Sequence, residues 1–279
     1  METSSIQRAA EAIHNATALV LTAGAGMGVD SGLPDFRGDQ GFWRAYPAYQ
    51  TLGLSFGDLA NPKWFVANPA LAWGFYGHRM HLYRDTQPHP GFSLLLAWSR
   101  RMRDGCRVFT SNVDGQFLKA GFDPATIQEC HGSIHHLQCV AECGVGIFEA
   151  CEVNVAVDPL TFRAAPPLPA CPRCGAMARP NVLMFGDWQW DDARSEAQTA
   201  LFQAWQHSTL EASRHRLVVV ECGAGVAIPT VRHFGETMVR RFGGTLVRIN
   251  VRDPQVPTGQ VSLPMGAKDA LAAIDALLR

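Results

Sequence analysis

Residues 20–38 read VLTAGAGMGVDSGLPDFRG, and the first half of this stretch predicts a buried strand followed by a tight turn. The strand prediction rests on the uncharged apolar run at 18–21, which leads straight into glycines, as strands of parallel sheets do. Gly24 and Gly26 match a dinucleotide fingerprint, but Gly28 comes one residue early for its third glycine. These glycines therefore fit either a phosphate-binding turn or a strand-to-helix turn without a ligand.

The second half of the stretch favours a ligand-binding loop. Pro34 fixes its own φ and keeps Leu33 out of the helical region, so no helix is expected to run through. The loop would hold the carboxylate of Asp35 and the guanidinium of Arg37 beside the glycine turn. Such a loop suits a ribose and a pyrophosphate.

The pattern GAG-x5-G-x-PDFRG resembles the cofactor loop of the sirtuins, which are NAD-dependent protein deacylases. The resemblance implies that the chain binds NAD. The residues that it places on the cofactor are Gly24, Ala25, Gly26, Asp35, Phe36 and Arg37.

Composition bounds the class of protein. The 279 residues are 47% apolar and 18% charged with a formal net charge of −1, so no basic field predicts a nucleic-acid partner. No run of about 18 apolar residues predicts a membrane span, and the first residues lack a signal-peptide pattern. We expect a cytoplasmic protein with no membrane partner.

Periodicity predicts alternating helices and strands. Helices are expected over residues 6–15, 92–102, 195–213 and 267–278, with further helices opening at 62 and 69, and strands over 107–110, 126–127, 216–222 and 245–250. A flexible loop that closes over a ligand is expected after Gly38. Its aromatic residues, including Phe42 and Trp43, are equally compatible with a packed core.

Residues 110–114, TSNVD, follow the predicted second strand and resemble the sirtuin motif TQNID. The resemblance implies that Asn112 positions the water or ribose at the reacting carbon and that Asp114 contacts the nicotinamide amide. Ser111 replaces the family's glutamine beside the nicotinamide ribose. His131, before Gly132, is the predicted general base, because an imidazole exchanges protons near neutral pH.

Two further segments are expected to bind the substrate. Tyr76 and Arg79 share a helix face; they fit a solvated arginine beside a half-buried tyrosine, or the Tyr-x-x-Arg of sirtuins that remove acidic acyl groups. Residues 179–187, RPNVLMFGD, resemble the sirtuin segment that pairs with the peptide, with Asp187 in place of glutamate. The substrate-binding residues expected here are Met184, Phe185 and Gly186.

Two later strand ends complete the predicted cofactor site. Gly223 opens the sequence GAG where the family has Gly-Thr-Ser, so binding there would rely on backbone amides rather than hydroxyls. Asn250 matches a family contact to the adenosine ribose.

Four cysteines have the spacing of a metal site. Cys139-x3-Cys143 and Cys171-x2-Cys174 resemble a zinc ribbon, in which four thiolates leave no open position and make the zinc structural. The alternatives are unrelated cysteines, or Cys151 as a competing ligand.

The fold expected is α/β: a Rossmann-like parallel sheet with helices on both faces, plus a small zinc-ribbon and helical domain formed by insertions. Residues 1–38, 92–136 and 177–279 would form the NAD-binding domain, 39–91 a helical insertion with the cofactor loop, and 137–176 the zinc module. The function implied is NAD-dependent protein lysine deacylation, in which the nicotinamide–ribose bond breaks and the acyl group of an acyl-lysine substrate passes to ADP-ribose. A protein ADP-ribosyltransferase or NAD hydrolase, and a non-catalytic NAD-sensing module, remain as alternatives.

Overall fold

A computed structural model describes residues 4–34, 38–211 and 216–278. Its strands are β1 (Ala18–Ala23), β2 (Cys106–Thr110), β3 (Ile127–Glu129), β4 (Gly132–Cys139), β5 (Phe148–Glu149), β6 (Ala178–Val182), β7 (Leu217–Cys222), β8 (Thr245–Ile249) and β9 (Val261–Leu263). Its α-helices are α1 (Ser5–Asn15), α2 (Gly26–Val29), α3 (Gly38–Ala45), α4 (Pro47–Thr51), α5 (Phe56–Leu59), α6 (Trp64–Ala67), α7 (Pro69–Asp85), α8 (Pro90–Arg101), α9 (Gln116–Lys119), α10 (Ala193–Trp205), α11 (Thr230–Phe242) and α12 (Ala267–Ala276). A 3-10 turn at Pro124–Thr126 and a π turn at Gln206–Glu211 complete them.

Six of the described strands form one parallel sheet in the order β3-β2-β1-β7-β8-β9. The order reverses direction between β1 and β7, which is the switch point where parallel α/β sheets bind ligands. All residues of β1 and β7 are buried, as strands covered on both faces require. The α/β fold predicted from the sequence is confirmed.

Helices cover both faces of this sheet, because alternate side chains of each strand point to opposite sides. Leu19 and Leu21 pack with α1, α8 and α12 on one face. Val20 and Val219 pack with α10 and α11 on the other.

A second sheet, β5-β4-β6, is antiparallel and lies outside the first. It shares a core with helices of the 39–91 segment, in which Trp73 and Phe75 are fully buried. Strand β4 extends across the boundary expected at 136/137, whereas β6 begins at Ala178, just after the boundary expected at 176/177. The domain limits stay a prediction.

Several local predictions differ from the structure. The flexible loop expected after Gly38 is wrong where it is described: α3 and α4 form instead, because Phe42, Tyr46 and Tyr49 stack in a buried aromatic cluster. Helix α8 begins at Pro90 rather than at residue 92, since a proline fits the first helical turn. The short strand β9 was not predicted.

Candidate active site

The turns after β1 and β7 meet backbone to backbone at the carboxyl edge of the sheet. The N–H of Gly24 donates to the carbonyl of Cys222, and that of Gly26 to the carbonyl of Gly223, both at 3.0 Å. A β-carbon on Gly24 would lie 2.8 Å from Ala224 Cα, and one on Gly223, where φ is +65°, would lie 2.3 Å from the carbonyl carbon of Gly26. Only glycine fits at these two positions. The close contact between the two turns therefore explains why they are rich in glycine.

Two amides of these turns are available to a ligand. No described residue accepts a hydrogen bond from the N–H of Ala25 or of Ala224. Turn amides at the carboxyl edge of a parallel sheet are suited to phosphate oxygens. This part of the site fits the pyrophosphate of NAD. The predicted cofactor residues Asp35, Phe36 and Arg37 lie outside the described residues.

The segment after β2 is fastened to the first of these turns. Asn112 donates from Nδ2 to the Gly24 carbonyl at 3.0 Å, and its own N–H donates to Thr110 Oγ1 at 3.0 Å. The N–H of Ser111 donates to the Ala23 carbonyl at 3.2 Å. The structure therefore brings Ser111 and Asn112 against the glycine turn, and their contacts to the cofactor stay predictions.

Asp114 is a buried carboxyl group at the same edge. Its Oδ1 accepts a hydrogen bond from the N–H of Gln116 at 2.9 Å. Burial raises the pKa of Asp114 to about 6; the Gln116 N–H opposes this rise, the charge of Glu129 adds to it, and Arg79 opposes it. A carboxyl group that titrates near neutrality inside a cleft is typical of functional sites.

His131 lies between β3 and β4, and its backbone links two parts of the site. Its carbonyl accepts a hydrogen bond from the N–H of Leu183 at 3.0 Å. The next residue, Gly132, has a φ of +75°, and a β-carbon there would lie 2.1 Å from the Asn181 carbonyl oxygen. Burial lowers the pKa of His131 below its usual 6.5, so the imidazole is neutral at neutral pH, the form a general base needs.

The predicted peptide segment follows β6. Met184 is buried, whereas Phe185 is 45% exposed and stacks edge-on against Phe56. The N–H of Phe185 donates to the Ala60 carbonyl at 2.8 Å, and Gly186 has a φ of +66°. The segment is thus held in place at the surface beside His131.

Tyr76 and Arg79 are both buried on α7, which excludes the solvated-arginine interpretation. Arg79 donates from Nε and Nη2 to the Tyr83 hydroxyl at 3.1 and 2.8 Å, and its guanidinium lies 5.0 Å from the ring centre of Phe75 and 5.6 Å from that of Tyr76. The Tyr76 hydroxyl is buried and has no hydrogen-bond partner among the described residues. Aromatic rings thus surround the positive charge of Arg79, and the unpaired Tyr76 hydroxyl lies on the same helix; both groups are chemically suited to a carboxylate.

The four predicted cysteines converge. Their sulfur atoms all lie within 4.8 Å of one another, with Cys139 and Cys174 at 3.6 Å and Cys143 and Cys171 at 3.5 Å. Four thiolates around one zinc at about 2.3 Å would be spaced by roughly 3.8 Å, so the set fits a tetrahedral zinc. Burial by itself would raise the pKa of Cys171, but the N–H groups of Cys174 and Arg173 and two neighbouring thiols lower it to about 6.

Cys151 is exposed and lies outside this group. The cluster therefore consists of the four cysteines expected, and the competing ligand is excluded. Because four cysteine ligands fill all four coordination positions of a tetrahedral zinc ion, a zinc bound here is structural.

The sequence model of the Sir2 family matches residues 24–205, from the first glycine of the turn to the last residue of α10. The chain belongs to the Sir2 family. Among curated relatives, the NAD-dependent protein deacylase of Thermococcus kodakarensis is 31% identical over 245 residues, 87% of this chain and 83% of that protein. The mitochondrial NAD-dependent protein deacylase sirtuin-5 of Canis lupus familiaris is 33% identical over 184 residues, 61% of this chain and 56% of that protein.

A solved structure of a Sir2 homologue, a variant in complex with ADP-ribose, is similar throughout. It is 26% identical, covers 97% of this chain and 96% of its own, and has a TM-score of 0.69. The described residues therefore have the Sir2 fold. In the part of the chain that the structure describes, no helix is both long and apolar enough to cross a bilayer; the cytoplasmic location stays a prediction.

Sequence reasoning missed one residue that shapes this Sir2 site, His135. The β4–β6 register shifts between Ser133 and Leu137, and the resulting bulge brings His135 Nε2 to 3.0 Å from the Asp114 carbonyl oxygen. The ring also covers Gly115, where a β-carbon would lie 2.8 Å from it. No motif in the sequence marks this histidine, since the contact depends on the bulge.

The contacts of Asn250 differ in kind from the predicted one. Its Nδ2 donates to the Ala224 carbonyl at 2.6 Å, while its Oδ1 accepts from the N–H groups of Arg252 and Asp253, both at 3.0 Å. Asn250 thus fixes the turn after β8 to the turn after β7. Its contact to the adenosine ribose stays a prediction.

Proposed function

We propose that this Sir2-family protein is an NAD-dependent protein lysine deacylase. The observation that carries the proposal is that Asn112 is hydrogen-bonded to the glycine turn after β1. Asp114 and His131 follow the neighbouring strands β2 and β3 at the same edge of the sheet. Two relatives that are 33% and 31% identical to this chain are named NAD-dependent protein deacylases, which supports the same activity.

NAD, when bound, supplies a nicotinamide–ribose bond whose cleavage lets the ribose accept the acyl group from lysine. Ala25 and Ala224 would hold its pyrophosphate with their backbone amides. His131 is neutral near pH 7 and can take a proton from a ribose hydroxyl. The buried setting strengthens each of these polar interactions, because little water screens them.

Asn112 and Asp114 would orient the reacting end of the cofactor. The Asn112 amide is fixed by the Gly24 carbonyl, and the Asp114 carboxylate by the N–H of Gln116, so both side chains are held by groups that do not react. A fixed arrangement of this kind lowers a barrier mainly by positioning.

The acyl group would enter the pocket that contains Tyr76 and Arg79. We propose that the pocket prefers acyl chains ending in a carboxylate over acetyl groups. Support comes from the buried positive charge of Arg79 and the unpartnered Tyr76 hydroxyl, since a buried donor without an acceptor costs about 1–3 kcal/mol.

The protein or peptide that carries the acyl-lysine would pair with residues 184–186. Phe185 and Gly186 are exposed, Met184 is buried, and the preceding Leu183 is hydrogen-bonded to the His131 carbonyl. An extended peptide can add to such a segment as a strand.

Ser111 supports a second activity, NAD hydrolysis or ADP-ribosyl transfer. Its short side chain is partly exposed beside Asn112, where the longer glutamine of the sirtuin motif would occupy more space. A water or another nucleophile admitted there would compete with the acyl oxygen.

The test is NAD consumption by the purified chain, with and without acetyl-, succinyl- and long-chain acyl-lysine peptides. Peptide-dependent consumption with acyl-ADP-ribose formed, lost in His131→Ala and Asn112→Ala, is the expected result. Consumption without peptide would favour the hydrolase or transferase. ADP-ribose binding without any consumption would overturn both enzymatic functions and leave an NAD-sensing module.

A further inference from the structure

A buried cluster of charged side chains lies under the turns that follow β7 and β8. Glu221 of β7 and Arg248 of β8 are register partners, and their side chains are 0% and 1% exposed. Arg248 donates from Nε and Nη2 to the Glu221 carboxylate at 2.5 and 3.1 Å, and from Nη2 to Glu236 of α11 at 2.8 Å.

This cluster is costly to bury. Removing two charges from water is only partly offset by their attraction, and a well-packed apolar pair is often as stable or more stable. The fold also makes room for the cluster. Gly235 of α11 faces it, and a β-carbon there would lie 3.3 Å from Glu221 Oε2. The cluster therefore has a role besides stability, which follows from the segment that it binds.

The cluster holds the segment that follows β8. Arg248 also donates from Nη1 to the carbonyl of Gln255. A second buried arginine, Arg232, lies on α11. It donates to the same Gln255 carbonyl at 3.0 Å and to the carbonyl of Asp253 at 2.8 Å. Two guanidinium groups thus converge on residues 253–255.

Arg232 reaches the turn after β7 as well. Its Nη1 lies 3.4 Å from the Ala224 carbonyl oxygen, which also accepts from Asn250. The Ala224 turn and residues 253–255 are therefore joined into one surface by buried donors. The N–H of Ala224 belongs to this turn and is one of the two amides available to a ligand.

This surface lies on one side of the switch point, and the reacting groups lie on the other. Asn112 and His131 follow β2 and β3, whereas the Ala224 turn and residues 253–255 follow β7 and β8. A dinucleotide bound across such a crevice extends over both halves of the sheet. Its non-reacting half would therefore lie over the surface that Arg232 holds.

We propose that Arg232, supported by the Glu221–Arg248–Glu236 cluster, positions the wall of the cofactor site that binds the adenosine half of NAD. Arg232 is a positioning residue, since its described contacts are to protein carbonyls. The proposal rests on the proposed function and explains how turns that lack hydroxyl side chains hold a nucleotide.

The test measures ADP-ribose binding to the full chain by calorimetry, for the unchanged protein and for Arg232→Met. Arg240→Met is the matched control, because Arg240 lies on the same helix but is exposed. We expect Arg232→Met to weaken ADP-ribose binding by about tenfold through lost preorganisation. KM for NAD should rise in proportion, with kcat at saturating NAD and inhibition by nicotinamide within about twofold of the parent.

A second variant keeps the test valid if Arg232→Met fails to fold. Glu221→Met combined with Arg248→Met removes both charges together, and such a replacement is often tolerated or stabilising. It should fold and still bind ADP-ribose more weakly, because the Gln255 carbonyl loses a donor.

The outcomes separate the two proposals. Unchanged ADP-ribose affinity in a folded Arg232→Met or double variant would overturn the positioning role. A failure of the unchanged protein to bind ADP-ribose would overturn the proposed function itself.

Discussion

Arg179 and Asp187 form a two-pronged ion pair across the predicted peptide segment, with N–O distances of 2.7 and 2.8 Å. Their side chains are 2% and 0% exposed. Asp187 Oδ2 also accepts the N–H of Met184 at 3.4 Å. The pair therefore closes a loop around residues 183–186 and fixes where a peptide could add as a strand.

Removing Asp187 should be strongly destabilising. Asp187→Ala leaves the guanidinium of Arg179 buried without its counter-charge, so we expect a loss of about 3–5 kcal/mol in the free energy of unfolding. The measurement is chemical denaturation at pH 7.5.

The matched control for that variant is Arg103→Ala. Arg103 makes a similar two-pronged contact to Asp104, but its side chain is 71% exposed, so its loss should change the free energy of unfolding far less. Equal losses in the two variants would contradict the importance given to burial.

Asp114 should make stability depend on pH. Its folded-state pKa of about 6 lies above the usual value near 3.9, so the folded protein binds this proton more tightly than the unfolded chain does. Its contribution to stability is therefore lost as the pH rises from about 4 to 6. We compare the free energy of unfolding of Asp114→Asn with that of the parent. The difference, variant minus parent, should be larger at pH 8 than at pH 4.5 by about 2 kcal/mol, in favour of the variant's stability.

The same substitution should abolish most deacylase activity, because Asp114 is expected to orient the nicotinamide end of NAD. Relative to the parent, the variant would thus gain stability as the pH rises and yet be inactive. Denaturation curves at the two pH values provide the check. A difference between variant and parent that does not change with pH would show that the Asp114 carboxyl is not desolvated.

Zinc should be needed for stability and should depend on the clustered cysteines alone. Cys174→Ser is expected to lose the metal, measured by elemental analysis, and more than about 4 kcal/mol of stability. Cys151→Ser, at an exposed cysteine outside the cluster, should keep one zinc per chain. Loss of metal in Cys151→Ser would overturn the ligand assignment.

Arg79 should decide the acyl preference. Arg79→Met removes a charge-assisted contact worth roughly 1.5–3 kcal/mol, so kcat/KM for a succinyl-lysine peptide should fall by about 10- to 100-fold. Activity on an acetyl-lysine peptide should change far less. A parallel fall for both peptides would indicate that Arg79 supports the fold rather than the acyl group.

Local signals were enough to predict most of the sheet and the metal site. Apolar runs such as residues 18–21 and 216–222 have few alternatives to a buried strand, and two short cysteine pairs can converge with little help from the rest of the chain. Asn112 and His131 were predicted from their resemblance to sirtuin motifs, and each follows a strand at the edge where ligands bind; their roles stay predictions.

Contacts that depend on register or on distant charges were not predictable. The pairing of Glu221 with Arg248 requires β7 and β8 to be adjacent in one particular register, and neither residue carries a motif. The contact of His135 with Asp114 requires a bulge in β4. The segment after Gly38 was predicted to be a loop because glycine and proline interrupt it. The alternative given for its aromatic residues, a packed core, is the one that the structure shows, and their burial with residues of α7 decides the outcome.

Strand β4 begins directly after His131 and ends at Cys139, while its partner β6 runs from Ala178, opposite Cys139, to Val182, next to the peptide segment. The proposed base and the proposed peptide-binding residues thus lie at one end of the same strand pair. The metal site lies at the other end and holds the two strands there. A tilt of that pair against the parallel sheet would leave the spacing between base and peptide intact. It would change only their common distance to the nucleotide, so the orientation of the metal-bound module would govern whether a captured peptide meets the cofactor.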